Sequence, residues 1–100
     1  DLLIYVASWP KIRTNAWDAL LKARAIENCC YVVGVNRIGM DANDLDYPGH
    51  SQAIDFAGNL LHDSGSKAEV AVVEINKKEL LEFRTRFAFL ADQDRFTVED

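Results

Sequence analysis

No apolar run in this chain approaches the roughly 20 residues that a bilayer crossing needs, and no signal-peptide pattern opens it, which argues against a membrane-spanning role. Cysteine is scarce. The two present, Cys29 and Cys30, stand side by side, so there is no disulfide framework and a reducing, cytoplasmic setting is expected. Histidine is equally sparse, and neither His50 nor His62 has a carboxylate or second histidine at metal-ligand spacing, so both read as surface or hairpin residues. Positive charge is short as well. Eleven Lys and Arg against 16 Asp and Glu leave a net charge of −5, the wrong balance for nucleic acid or an anionic membrane surface.

What is present is an ordinary globular mixture of 49% hydrophobic and 27% charged residues, enough apolar surface for a core. One hundred residues suit one small domain or a piece of a larger one. The start, Asp1-Leu2-Leu3-Ile4-Tyr5-Val6, runs straight into apolar sequence and reads as a segment cut from a longer polypeptide, with no internal domain boundary over 1–100.

Leu2 to Ala7 reads as a buried parallel strand ended by Pro10. Thr14 or Asn15 can cap a helix running to about Asn28, on which Ala16, Ala19, Leu20, Ala23 and Ile26 share a face that Trp17 and Leu21 widen. Tyr31 to Val35 is a second buried strand, and a turn-rich loop follows from Gly39 to Gly49. Ser51 to Phe56 and Leu60 to His62 form a hairpin, and Glu69 to Ile75 alternates as a further strand with Val70, Val72 and Val73 as its apolar payload. Asn76 with Glu79 makes a capping box for a helix to about Arg86, with Leu80, Phe83 and Phe87 as its apolar stripe and a Glu82–Arg86 pair. The tail from Leu90 is polar and irregular. The order β-α-β, antiparallel strands, helix predicts an α/β fold with a mixed sheet, helices on one face and the other face left for something else to cover.

The candidate chemistry is thin. A nucleophilic thiolate needs a base or a helix N-terminus beside it, whereas Cys29 and Cys30 fall at a helix C-terminus, where the dipole disfavours negative charge. They read as small core fillers. Asp41, Asp44 and Asp46 evoke a calcium loop, but the sixth and twelfth positions counted from Asp41 hold Asp46 and Gln52 instead of Gly and Glu. A solvated loop, with side chains bonded to nearby backbone, fits better. Arg24 and Glu27, three apart on the helix, read as an ion pair. Trp9-Pro10 follows the C-terminal end of a parallel-type strand, where α/β sheets place ligands, and Trp9 can equally wall a pocket or plug the core.

Taken together, "DLLIYVASWP", "RTNAWDALLKARAIEN", "YVVGVNRIG", "DYPGHS" and "FRTRFAFLADQDRF" resemble the second half of a carbon–nitrogen hydrolase of the nitrilase superfamily, most of all its omega-amidase-like branch. The resemblance covers nearly the whole chain. It implies a four-layer α-β-β-α sandwich of which this chain forms about half, the rest of the domain being its first partner. It implies amide hydrolysis through a thioester on an attacking Cys thiolate, with Glu as general base and Lys at the tetrahedral intermediate and no metal or cofactor, on monoamides of short dicarboxylic acids. Those three residues lie upstream in the family, so this chain alone is expected to be inactive.

The resemblance also implies that Ser8 and Trp9 line the substrate cleft, Ser8 replacing the family's Asn. The helix from Thr14 to Asn28, with Ala16, Ala19, Ala23, Arg24 and Glu27 on its contact face, corresponds to the family's twofold dimer interface. Asp41-Ala42-Asn43-Asp44 departs from the family's Asp-Gly-Asn-Gly, so Ala42 and Asp44 must reshape that turn or bear positive φ. The rival reading is a non-catalytic interaction or scaffold module that borrows the half-fold, and the sequence preceding Asp1 distinguishes the two.

Overall fold

A computed structural model describes residues 1–92 and 94–99; Gln93 and Asp100, in the stretch expected to be an irregular tail, lie outside the described residues. The elements are β1 (Leu2–Ala7), a 3-10 turn (Lys11–Arg13), α1 (Thr14–Asn28), β2 (Tyr31–Asn36), β3 (Ile38–Met40), β4 (Asp46–Pro48), β5 (Gln52–Ile54), β6 (Leu60–Asp63), α2 (Lys77–Arg86) and a second 3-10 turn (Phe89–Asp92). One mixed sheet runs β1-β2-β5-β6, and β3-β4 form a separate hairpin. β1 and β2 pair in parallel across α1, while β5 and β6 add on antiparallel.

The α1 face carries the core. Trp17, Leu21 and Ala25, one turn apart, bury against Val32 and Ile54 of the sheet. Gly34 makes this closeness possible, since a Cβ there would lie 2.6 Å from Leu21 Cδ1 and 2.9 Å from Trp17 Cζ2. The buried stripe is therefore Trp17–Leu21–Ala25, whereas Leu20 and Ile26, expected inside with the alanines, are exposed. Large side chains win the inner face because they bury more area.

The helix starts differently from expectation too. Neither Thr14 nor Asn15 caps it. The 3-10 turn feeds directly into α1, Arg13 holds the cap position without a side-chain bond, and the Thr14 hydroxyl donates backward to Lys11 O at 2.6 Å. At the other end Cys29 takes the left-handed conformation (φ 46°), its N–H bonds Ile26 O and that of Cys30 bonds Ala25 O, the two-bond closure usually given to glycine.

β1 is parallel, as its sequence implied, but not buried. It stands at the sheet edge, and Ile4 and Val6 are 62% and 81% exposed. The expected strand over 69–75 forms no ladder. Of its expected apolar payload only Val73, together with Ala71, lines a cleft of about 410 Å³ against Val33, Val35 and Ala53, while Val70 and Val72, each 95% exposed, face solvent. An extended segment can be two-faced without backbone pairing. The Gly39–Gly49 loop, conversely, contains the β3-β4 hairpin that composition did not reveal.

α2 begins as read. Asn76 Oδ1 accepts the Glu79 N–H at 3.0 Å, and the helix ends at Arg86. Glu82 pairs with Lys78 at 3.9 Å instead of with Arg86, whose guanidinium lies over Phe87. α2 closes the end where β2 begins. The Tyr31 hydroxyl accepts the Asn76 N–H at 3.0 Å, and Arg84 donates to Cys29 O and to Asp1 Oδ1, both at 2.8 Å.

Candidate functional site

The exits of β1 and β2 and the loop joining β4 to β5 converge at the opposite end of the sheet. Their junction is Asn36, the last residue of β2 and one of two buried polar residues among those described. Its Oδ1 accepts the Trp9 N–H at 2.7 Å, and its Nδ2 donates to Trp9 O at 3.0 Å and Gly49 O at 2.9 Å. Its backbone N–H donates to Ser51 Oγ at 3.0 Å, and that hydroxyl donates back to Asn36 O.

Gly49 has φ 75°, and a Cβ there would meet Gly65 O at 2.7 Å, so this turn requires glycine. His50, next in line, also has positive φ (54°), and its carbonyl accepts Trp17 Nε1 at 2.8 Å. Its Nδ1 lies 3.1 Å from Asp18 Oδ1, which also accepts Gln52 Nε2 at 2.6 Å. Expected to be a surface or hairpin histidine, His50 instead ties this turn to α1.

On this support Trp9 is half-buried. Its Nε1 donates to Arg13 O at 2.6 Å, its ring tilts against Trp17 at 5.7 Å, and the Arg13 guanidinium lies 5.2 Å from the ring centre. It lines a cavity of about 230 Å³ with Tyr5, Trp17, Leu20, Leu21 and Arg24. Trp9 thus packs on the core and walls a cavity at once. Ser8 precedes it, exposed.

Arg24 reaches the Trp9 cavity while bonding Glu27 at 2.7 Å, so this pair joins the two groups of residues singled out in the sequence. Ala16, Ala19 and Ala23 remain apart from it. They lie outward on α1, Ala19 exposed and the other two half-buried, with Ala19 and Ala23 beside a groove of about 500 Å³.

Cys29 and Cys30 sit at the far end of β2 from Asn36, both buried, and burial pushes the Cys30 thiol up, away from the reactive thiolate. Among the described residues no group of His, Cys, Asp and Glu is arranged to hold a metal ion. His62, expected in a surface hairpin, sits on β6 and lies 2.8 Å from Glu69 Oε1. That hydrogen bond, followed by one from Ser64, holds the Glu69 carboxyl below its ordinary value.

The acidic loop bonds its own backbone as expected. Asp41 Oδ1 accepts the N–H groups of Asn43 and Leu45 at 2.8 and 3.0 Å, and Oδ2 accepts the Tyr47 hydroxyl at 2.9 Å. Asp44 bears positive φ (60°), which Asp tolerates, whereas Ala42 avoids it.

Asn36 was missed in the sequence. The available signal was an amide closing an otherwise apolar strand, YVVGVN, at the end where α/β sheets place their sites.

The carbon-nitrogen hydrolase family profile matches residues 1–85. Omega-amidase YafV of Escherichia coli is 40% identical over 99 residues, covering 98% of this chain and 39% of the relative. The 2-oxoglutaramate amidase of Paenarthrobacter nicotinovorans is 36% identical over 92 residues, covering 92% of this chain and 31% of that protein. A CN-hydrolase superfamily protein from Xanthomonas campestris, whose crystal structure carries an arsenic adduct in its active site, superposes with a TM-score of 0.94. It is 43% identical over 99% of this chain and 37% of that one. The chain thus spans under two fifths of the length of these relatives.

Proposed function

This chain belongs to the carbon–nitrogen hydrolase family, and from that premise we propose that the protein carrying it is an omega-amidase-type amide hydrolase in which this segment supplies a wall of the substrate cleft. The observation carrying the reading is the 40% identity to an omega-amidase across 98% of the chain. The substrates are monoamides of short dicarboxylic acids. The nucleophilic Cys, with its Glu base and Lys, belongs to polypeptide preceding Asp1. Its thiolate adds to the amide carbonyl, the C–N bond breaks as the leaving nitrogen takes a proton and departs as ammonia, and water then cleaves the thioester to the free acid and the thiol. Ser8 and Trp9 face that chemistry from the end of β1, and no metal or cofactor takes part.

The same reading makes the exposed sheet face the seat of the remaining half of a four-layer sandwich, and the outer face of α1 a twofold dimer contact. The protein works in the cytoplasm.

The test is ammonia release from succinamate- and glutaramate-type amides by the whole protein and by Trp9→Ala. The expected result is turnover that falls at least about tenfold in kcat/KM in the folded variant. Turnover that survived replacement of the upstream Cys but vanished in Cys29→Ser or Cys30→Ser would overturn the placement of the nucleophile.

A further inference from the structure

We propose that Asn36 is a positioning residue for this cleft, its one side-chain amide fixing both Trp9 and the Gly49–His50 turn. The inference rests on the reading of Trp9 as a cleft wall. Three hydrogen bonds of 2.7–3.0 Å leave neither Nδ2 proton free, in a residue only 7% exposed. Both polar groups of the Trp9 backbone end on this amide, so the strand exit is gripped from donor and acceptor sides together. The second Nδ2 proton reaches Gly49 O, next to a residue whose own carbonyl holds Trp17 and whose ring meets Asp18. The amide therefore joins the two backbones that flank the Trp9–Trp17 ring pair.

The chemistry is specific to asparagine. Trp9 O and Gly49 O are both acceptors, so a carboxylate in this place would set lone pairs against them, and an aliphatic side chain would leave buried groups unpaired. Ser51 reinforces the arrangement from the backbone side, its hydroxyl bonded to both the N–H and the O of Asn36. Displacing a substrate-positioning group by about 1 Å can cost about 100-fold in rate, so the tautness of this junction bears directly on turnover.

The experiment compares Asn36→Asp, Asn36→Ser, Trp9→Ala and the Asn36→Ser/Trp9→Ala double variant in the whole protein, by kcat/KM on a succinamate-type amide. Amide exchange of the segment 7–10 is followed by mass spectrometry alongside. Asn36→Ser is expected to lower kcat/KM about 10–100-fold and to speed exchange in that segment. In the Trp9→Ala background the same change is expected to cost no more than about twofold, because its effect passes through Trp9. Effects that multiply, or an unchanged kcat/KM in Asn36→Ser, would overturn the inference. Should neither Asn36 variant fold, Asn36 is a fold-holding residue and the inference falls. An unchanged kcat/KM in Trp9→Ala instead removes the cleft-wall reading itself, and this inference with it. Impairment in Trp9→Ala without impairment in Asn36→Ser removes this inference alone.

Discussion

The two faces of the central sheet are built from the same kinds of residue and end in opposite conditions. Toward α1, Val32 and Ile54 meet Trp17, Leu21 and Ala25, and none of the five is more than 4% exposed. Away from α1, Ile4, Val6 and Val35 of the same sheet are 45–81% exposed. The difference lies in cover. One α-helix spans one side of a slab whose shortest extent is 17 Å, enough for a helix on a sheet and no more. A β-branched run therefore reports that both faces of a strand are suited to burial without saying which element buries them. Under the sandwich reading, this apolar face is where the other half of the domain docks.

The largest way to break the comparison is to open the covered face. Trp17→Ala removes the biggest buried side chain of the core cluster and the donor to His50 O. In the whole protein it is expected to cost about 3–5 kcal/mol, read as a shift in denaturant midpoint with unchanged slope. A loss below about 1 kcal/mol would mean that α1 is not the principal cover of the sheet.

The open face gives the reciprocal experiment. Under the sandwich reading Val6 is buried in the whole protein, and Val6→Ser is expected to destabilise by about 2 kcal/mol in chemical denaturation. A change within about 0.5 kcal/mol, the range of ordinary surface substitutions, would leave that face in water and remove the sandwich reading.

Legibility in the sequence followed the same division. Several signals that act within a few residues were readable, although the Thr14 or Asn15 cap and the Glu82–Arg86 pair did not form. Asn76 caps α2 through Glu79, Asp41 bonds the next turn, and the 55–59 turn joins β5 to β6. Signals that depend on distant partners were not. Which α1 stripe faces inward depended on Gly34, a residue in another element whose missing side chain admits Trp17 and Leu21. β1 carried the composition of an interior strand and lies at an edge, because composition reports suitability for burial and not the presence of a neighbour. The site divided likewise. Trp9 was visible from its place after a parallel strand, while Asn36 matters through bonds to residues 27 and 13 positions away. The residues of resemblance placed the chain in its family without supplying that geometry.

The outer face of α1 tests whether its alanines meet a partner. Ala19 and Ala23 line a shallow groove on this helix, beyond the reach of the core beneath. If a second copy packs there, Ala23→Leu adds bulk at a twofold contact and is felt twice. The expected loss is about 1–2 kcal/mol of association, seen in sedimentation as monomer at dilute concentration. A variant that stays dimeric with unchanged stability would place the interface elsewhere.

The smallest effect is expected in the separate β3-β4 hairpin, and it depends on pH. The Leu45 N–H, with help from the Tyr47 hydroxyl, the Asn43 N–H and Arg37, holds the Asp41 carboxyl below its ordinary range. A carboxyl depressed on folding adds stability above its unfolded value and loses it as pH falls through the folded one. The Tyr47 hydroxyl responds in the opposite sense. Its bond to Asp41, then burial, raise it, so its contribution is present below the ordinary tyrosine range and lost as pH climbs through the raised value. The pair is therefore expected to tighten the hairpin across neutral pH and release it at both extremes. Amide exchange at Asn43 and Leu45 reads this directly. Protection should be greatest near neutrality and fall in acid, after correction for intrinsic exchange rates, and Asp41→Asn should flatten the acid limb. Protection that is unchanged in Asp41→Asn at every pH would assign the turn to its backbone alone, with the carboxylate contributing nothing to it.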